Sequence, residues 1–153
     1  MKPSFNQNYK GMMCRVYLVR ENTSNEVVKI NNLTDAYELV KDELVNSDRE
    51  RFLSVFLTTR NHLIGVETVS IGSINGSIVT PRDVFKGAIL ANAVSIIVCH
   101  NHPSGGLVPS ECDLELTKHL IEAGELLGIK VLDHLIVSHN GYQSLRDYHK
   151  FPV

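Results

Sequence analysis

The sequence predicts a single α/β domain in which helices flank a mixed β-sheet. Segments rich in β-branched and apolar residues alternate along the chain with segments whose apolar residues recur at helical spacing. Such an alternation of strands and helices is typical of α/β proteins. The chain has 153 residues, 43% of them hydrophobic and 21% charged, which suits one domain with one buried core. The sequence contains no internal repeat, which also favours a single domain.

The N-terminal residues are predicted to form little regular structure. Residues 1–13 are polar and are expected to be a flexible tail, so that the folded domain spans residues 14–153. Residues 15–20, RVYLVR, are rich in β-branched and aromatic side chains and predict a short strand. The pairing partner of this strand would be residues 27–30.

A helix and two strands are predicted next. Thr34 is a suitable N-cap residue, and the apolar spacing after it predicts an amphipathic helix over residues 34–45. The inner face of this helix would carry Ala36, Leu39, Val40, Leu44 and Val45. Residues 52–58 and 63–71 are rich in apolar and β-branched side chains and predict two core strands.

A turn, a third strand and a second helix follow. Asn75-Gly76 favours a tight hairpin because both positions tolerate a positive φ angle, so residues 77–80 are predicted to form a strand. Pro81 is favoured in the first turn of a helix, and this helix is predicted to extend to Ala93.

The C-terminal half is predicted to contain a buried strand, a helix and a further strand. Residues 94–99, VSIIVC, form a continuous apolar run, which is typical of a strand buried on both faces. A helix over residues 111–127 would end at Gly128, because glycine readily takes the left-handed conformation at a helix end. Residues 131–138 predict the next strand, and residues 142–153 a short tail.

Composition and charge limit the classes of function. The net charge of −2 and the pI of about 6.4 differ from the basic character typical of nucleic-acid-binding proteins. Three cysteines form an odd and sparse set, which argues against a disulfide framework and suits a reducing compartment. No apolar run approaches the ~20 residues that span a bilayer. The sequence therefore predicts a cytoplasmic protein without membrane association.

A group of metal-ligating residue types follows the buried strand. His100 and His102 stand two positions apart, so their side chains would point to the same side of an extended backbone. Asp113 falls in the first turn of the next predicted helix, and the loop between can bring it near the histidines. Two imidazoles and one carboxylate leave one tetrahedral position open, which is the pattern of catalytic zinc. The sequence therefore predicts a Zn²⁺ site that activates water for hydrolysis.

Hydrolysis at such a site also needs a general base, and Glu50 and Glu67 are the candidate carboxylates. Ser110 can donate a hydrogen bond to the oxyanion that forms when a carbonyl is attacked. Ser110-x-x-Asp113 is also a capping box, a common structural feature of helix starts, and the two residues can serve both purposes. An isolated His-x-His pair can be an ordinary loop feature, so the metal interpretation depends on all these residues together.

Four neighbouring residues are weighed in the same way. Cys99 alternates away from the histidines and is expected in the core, and Cys112 is expected to be incidental to the site. Asp133-His134 belongs to a strand predicted near the site. This pair either orients a metal ligand or forms a satisfied part of the core, and the sequence leaves both readings open.

The site residues resemble a known motif. The string HNHP from His100, followed by Ser110-x-x-Asp113, resembles the JAMM motif of the JAB/MPN metalloproteases. The strings HNHPSG and DHLIV are similar to those of the RadC branch of that superfamily. The resemblance covers roughly residues 27–147, with matching residue types and spacing at several positions.

This resemblance implies a cytidine-deaminase-like, three-layer sandwich of the RadC-like JAB/MPN type. It also implies zinc on the two histidines and Asp113, with Ser110 as the oxyanion helper. The glutamate that acts through water in this family lies near the start of a core strand. Glu50 stands at that position in ERFLSVFL, so the resemblance favours Glu50 over Glu67 as the base.

The resemblance implies a metallopeptidase or isopeptidase acting on a peptide or isopeptide-linked substrate. The alternative is a RadC-type protein of DNA repair or recombination, with or without nuclease activity, whose partners would be DNA or repair proteins. RadC-like proteins usually carry an N-terminal helix-hairpin-helix module, and this sequence shows no counterpart, which weakens the link to DNA. A zinc deaminase would need an H-x-E and P-C-x-x-C signature, which is absent. Exposed strand edges would allow a dimer or a non-catalytic binding role, and the sequence does not fix the oligomeric state.

Overall fold

A computed structural model of the protein describes residues 16–19, 21, 26–72 and 79–148. This part of the chain contains three helices and one five-stranded sheet. In chain order the elements are α1 (Leu33–Val45), β1 (Arg51–Leu57), β2 (Leu63–Ile71), α2 (Pro81–Leu90), β3 (Ser95–Asn101), α3 (Glu111–Leu127), β4 (Lys130–Ser138) and β5 (Gly141–Ser144). The strand order is β2-β1-β3-β4-β5. Only β3 and β4 pair in parallel, so the sheet is mixed and the predicted α/β class is confirmed.

The sheet lies between two helical layers. Alternate residues of β1 point to opposite faces, as the pleat of a strand requires. Leu53 and Val55 pack with Val40 of α1 on one face. Phe52 packs with Phe85 of α2 on the other face, which also holds α3. The architecture is therefore the predicted three-layer sandwich, with a hydrophobic core on each side of the sheet.

The central strand β3 and the following helix α3 position the site, and both match their predictions closely. All seven residues of β3 are buried, as the apolar run indicates. Ser110 caps α3 in a reciprocal capping box with Asp113. The helix ends at Gly128, which has a φ angle of 69°, so the predicted left-handed stop is confirmed.

The predicted N-terminal strand is wrong where it can be assessed. Residues 16–19 carry no strand pairing, and their side chains are 46–79% exposed. Arg15, Arg20 and the predicted tail over residues 1–13 lie outside the described residues. Within residues 27–30, Lys29 forms one isolated bridge with His62. An apolar pattern favours extended backbone but does not supply a partner strand, which explains the error.

The start of α1 also differs from the prediction. Asn32, and not Thr34, is the N-cap, because the Asn32 side chain accepts a hydrogen bond from the Asp35 backbone N–H at 2.9 Å. The Thr34 hydroxyl instead shares a hydrogen bond with the hydroxyl of Tyr142 at 3.0 Å. Leu39 was expected on the inner face but is exposed, whereas the buried face consists of Ala36, Val40 and Leu44.

Two further boundaries are corrected. Val79 and Thr80 are not in a strand, because Thr80 is the N-cap of α2. The remainder of the predicted strand and the Asn75-Gly76 turn lie outside the described residues. Helix α2 ends at Leu90 instead of Ala93, and the short strand β5, at the edge of the sheet, was not predicted.

Within the described residues, no helix is both long enough and apolar enough to cross a membrane.

Candidate metal centre

The two histidines leave the carboxyl end of β3 on the same side of the sheet. His100 belongs to the strand and is 1% exposed. The backbone N–H of His102 donates to the Val137 carbonyl at 3.0 Å, which prolongs the pairing with β4 by one residue. The Nε2 atoms of His100 and His102 lie 2.9 Å apart, as their two-residue spacing predicts.

Asp113 approaches both histidines from the first turn of α3. Its Oδ1 atom lies 3.2 Å from His100 Nε2, and its Oδ2 atom lies 3.5 Å from His102 Nε2. Burial raises the pKa of Asp113, but contacts with the two histidines and hydrogen bonding from Ser110 outweigh it. The pKa of this carboxyl therefore lies well below its usual range, and the group carries a negative charge.

These three side chains fit a zinc ion. Ligand atoms around a tetrahedral zinc ion at ~2.1 Å lie roughly 3.4 Å from one another. The two Nε2 atoms are 2.9 Å apart, Asp113 approaches them at 3.2 Å through Oδ1 and at 3.5 Å through Oδ2, and one ligand atom from each residue lies within 4.8 Å of the others. His102 Nδ1 lies 3.0 Å from the Gly106 carbonyl oxygen, which can only accept, so this nitrogen carries a proton and Nε2 is the ring atom left to bind a metal. The residues that would hold zinc are His100, His102 and Asp113, which form the metal-compatible group of the described residues.

Ser110 is tied to the carboxylate of this group. The Ser110 hydroxyl and the Ser110 backbone N–H both donate to Asp113 Oδ2 at 2.7 Å. These bonds fix the rotamer of Asp113 and direct Oδ1 towards His100. The capping interpretation of Ser110 is thus correct, and the same bonds orient the candidate ligand.

Glu50 lies beside the histidines at the start of β1. Phe52 is the register partner of His100 in the antiparallel pair of β1 and β3. Continuing that register by two residues brings Glu50 level with His102. Contacts with Asp113 are the largest cause of the raised pKa of His102, and the charge of Glu50 contributes to it. The exposed Glu50 also lines a shallow cleft together with Phe52 and Val79.

Glu67 lies elsewhere in the fold. It pairs with Ser54 in the register of β1 and β2, and its carboxylate packs under α2 against Gly87 and Phe56. Burial raises the pKa of Glu67, against a smaller opposite effect of Lys86. The structure therefore brings Glu50, and not Glu67, level with His102 at the edge of the candidate site.

Asn101, between the two histidines, holds the segment that carries Glu50. Its side-chain oxygen accepts from the Arg51 backbone N–H at 2.6 Å, and its side-chain nitrogen donates to the Arg49 carbonyl at 2.9 Å. The backbone on both sides of Glu50 is thereby bonded to the residue that lies between His100 and His102. Sequence reasoning missed this role, because the partners lie about 50 positions apart in the chain.

His134 and Thr117 lie behind His100; orientation of a ligand was one of the two readings left open for His134, whereas Thr117 was not singled out from the sequence. His134 Nε2 is 2.8 Å from His100 Nδ1, and His134 Nδ1 is 2.6 Å from Thr117 Oγ1. Burial lowers the pKa of His134 well below its usual value, so this imidazole is neutral. For Thr117 the available sequence signal was its spacing, four residues after Asp113 and hence on the same helix face.

The two readings of Asp133-His134 apply to different members of the pair. His134 contacts a candidate ligand, whereas Asp133 points to the opposite face of the sheet. There Asp133 accepts hydrogen bonds from the Ser144 hydroxyl at 2.6 Å and from the His134 backbone N–H at 2.7 Å. Cys99 is fully buried in the α1-side core, as expected, and Cys112 is exposed.

The fold and the site together define the class of this protein: an α/β sandwich with a His-x-His and aspartate constellation at the carboxyl end of its central strand. Residues 30–150 match the family model described as the RadC-like JAB domain. The chain belongs to this family, as the motif resemblance indicates.

Curated relatives support the same assignment. A UPF0758 protein of Protochlamydia amoebophila is 50% identical over 118 residues, which are 77% of this chain and 51% of the relative. A UPF0758 protein of Desulforamulus reducens is 51% identical over 112 residues, covering 73% of this chain and 49% of the relative. One of Methanosarcina mazei is 44% identical over 119 residues, covering 78% and 52%. The chain thus spans about half the length of the curated relatives it matches.

Proposed function

We propose that this domain is a zinc-dependent hydrolase that cleaves amide bonds in a peptide or isopeptide-linked substrate. One observation carries the proposal: two imidazole nitrogens and a charged carboxylate converge so that one ligand atom from each lies within 4.8 Å of the others, a donor set that suits zinc. Membership of the RadC-like JAB family supports a JAB-type hydrolase or a RadC protein. The zinc dependence and the amide substrate are the parts proposed here.

Zinc held by His100, His102 and Asp113 would supply a Lewis acid that polarises a carbonyl and makes water a stronger nucleophile near neutral pH. Three protein ligands suit this chemistry, because catalytic zinc sites keep one position for water or substrate. The site lies at the end of the sheet, where 18% of the His102 side chain and 12% of the Asp113 side chain are exposed, so these two residues face solvent in part.

Glu50 is the proposed general base. It takes a proton from the attacking water and passes it to the leaving amine, which is the usual sequence of transfers in amide hydrolysis. Its exposed position at the cleft fits this exchange with substrate. Asn101 fixes the backbone on both sides of Glu50, so the separation between the base and the ligands stays constant.

Ser110 is the proposed oxyanion donor. Its hydroxyl proton is bonded to Asp113 Oδ2, so the hydroxyl must rotate to reach a substrate oxygen. The Ser110 backbone N–H also binds Asp113 Oδ2 and would continue to hold the carboxylate during that rotation. The serine proton can therefore turn to a second partner while the backbone N–H keeps the carboxylate in place.

Metal analysis tests the zinc centre. We expect about one zinc per chain by mass spectrometry of the purified protein, before or after incubation with ZnSO₄. His102→Ala and Asp113→Asn should lose it. His119→Ala, which alters an exposed histidine on α3, is the matched control and should retain it. A wild-type protein that takes up no stoichiometric zinc would contradict the proposal.

A substrate panel tests the reaction. Peptides, isopeptide-linked conjugates and single-stranded DNA are incubated with the zinc-loaded protein. We expect cleavage of an amide substrate, a large loss of turnover but normal zinc content in Glu50→Gln, and full activity in Glu122→Gln, which alters an exposed α3 glutamate. Cleavage of DNA alone would replace the amide proposal with the DNA-linked alternative, and an active Glu50→Gln would remove Glu50 as the base.

A further inference from the structure

A continuous row of hydrogen bonds joins the backbone of α3 to the inner nitrogen of His100. Thr117 Oγ1 donates to the Asp113 carbonyl oxygen at 2.6 Å and contacts His134 Nδ1 at 2.6 Å. His134 Nε2 contacts His100 Nδ1 at 2.8 Å. Thr117 and His134 are fully buried and His100 is 1% exposed, so these side chains bond with one another and not with bulk solvent.

The direction of each bond follows from the number of protons available. The Asp113 carbonyl can only accept, so it takes the single hydroxyl proton of Thr117. Thr117 Oγ1 must then accept from His134 Nδ1, which carries the proton of that neutral ring. His134 Nε2 is left with a lone pair and accepts from His100 Nδ1.

We propose that Thr117 and His134 are positioning residues that hold His100 in the Nδ1–H tautomer, with the Nε2 lone pair facing His102 and Asp113. The role of this tautomer in metal binding rests on the proposed zinc centre. The reverse proton order would put hydrogen on His100 Nε2, where it would prevent metal binding. The proton on His102 is fixed separately, because its Nδ1 donates to the Gly106 carbonyl.

Asp113 acts at both ends of this arrangement. Its carboxylate is a candidate ligand, and its backbone carbonyl accepts the Thr117 proton that sets the order of the row. The first turn of α3 therefore positions one ligand directly and, through His134 of β4, fixes the protonation of another on β3. Partners of this kind commonly change metal affinity by about 10–100-fold when they are removed.

Nitrogen NMR tests the tautomers without reference to activity. Long-range ¹H–¹⁵N spectra of the metal-free protein, labelled with ¹⁵N-histidine, distinguish Nδ1–H from Nε2–H rings. We expect a proton on Nδ1 of His100, His102 and His134 in the wild type. In Thr117→Val, which removes the hydroxyl at nearly constant volume, His100 and His134 should change to Nε2–H while His102 stays Nδ1–H. A wild-type His100 in the Nε2–H form overturns the proposal, whether or not the variant folds.

Zinc competition with a chromophoric chelator gives the second readout. Thr117→Val should weaken zinc binding by about 10–100-fold, whereas Thr117→Ser, which keeps the hydroxyl, should bind zinc within about threefold of the wild type. Equal affinities for the valine and serine variants, with both folded by circular dichroism, would overturn the role of Thr117.

The two proposals fail in different ways. A wild type with the expected tautomers but no zinc uptake refutes the hydrolase and leaves the row of bonds intact. A wild type that binds zinc while metal-free His100 is Nε2–H refutes the positioning role and leaves the hydrolase intact.

Discussion

The Asn101 side-chain oxygen accepts a hydrogen bond from the Arg51 backbone N–H at 2.6 Å. Asn101 is 1% exposed, so this N–H would lose its partner in a protected environment if the side chain were removed. The bond connects the strand of the candidate ligands to the segment of the candidate base.

Asn101→Ala should therefore destabilise the fold by about 1 kcal/mol, because a part-buried donor is left without its partner. It should also speed amide exchange at Arg51, measured by hydrogen exchange, while zinc content stays normal. Asn46→Ala is the matched control, because Asn46 makes its bond to the Asp42 carbonyl at an exposed site. Unchanged exchange at Arg51 would show that Asn101 does not hold this segment.

The two capping boxes separate a structural role from a metal-related one. Ser110 and Thr80 each donate a hydroxyl bond to the aspartate three residues later, at 2.7 and 2.6 Å. Ser110→Ala and Thr80→Ala should each cost about 1 kcal/mol in urea denaturation. Only Ser110→Ala should also weaken zinc binding, because only its aspartate is a candidate ligand. Equal zinc affinities in the two variants would mean that Ser110 is a helix cap alone.

The buried carboxyl of Glu67 predicts a pH dependence of stability. Within the described residues its Oε2 atom is buried without a hydrogen-bond partner, and burial raises its pKa above the unfolded value. Below an unfolded pKa of about 4.3 the group is neutral in both states and folding incurs no charge penalty. As pH rises through the higher folded pKa, stability is lost, because the charged form must be buried.

Glu67→Gln should therefore leave stability unchanged near pH 3.5 and raise it at pH 7.5, by less than about 1 kcal/mol because the carboxyl is only partly buried and solvent screens its charge. Urea denaturation at the two pH values measures the difference. Glu122→Gln, at an exposed position, should show no such divergence. A Glu67→Gln variant that is less stable than the wild type at pH 7.5 would mean that the charged form has a favourable partner.

Gly124 predicts a packing limit on α3. A Cβ atom at this position would be well inside van der Waals contact with the backbone oxygen of Ile129 and 3.3 Å from Phe85 Cζ. Gly124→Ala should cost about 1–3 kcal/mol through overpacking, although alanine is the better helix former. Gly65→Ala is the control, because nothing lies within 4 Å of a Cβ there. It should be neutral or stabilising by about 0.5–1 kcal/mol in thermal or urea unfolding.

Elements with strong local signals were predicted well from the sequence. The bounds of α3 follow from a capping box at one end and Gly128 at the other, so its boundaries matched. The start of α1 did not, because Asn32 and Thr34 are both good caps and the choice depends on the distant Tyr142. The strand β5 exists only through pairing with β4, and a four-residue segment has little pattern of its own.

The candidate site divides in the same way. The donor set follows from residue types at short spacing, so His100, His102 and Asp113 could be selected from the sequence. A loop separates Asp113 from the histidines in the sequence, and only the fold shows that its carboxylate reaches both rings. The contacts of His100 with His134 and of Asn101 with Arg51 join residues 34 and 50 positions apart, and no local pattern predicts them.

Asp113 and Thr117 lie one helical turn apart. Asp113 contacts His100, and Thr117 contacts His134, which lies behind it. Each residue inserted or deleted between them would rotate one side chain away from the other by about 100°. Length changes therefore cannot occur in this turn without separating the ligand from the row of bonds. The loop before it has no such constraint near Val108, which is 68% exposed, so that is where insertions and deletions are expected to be tolerated.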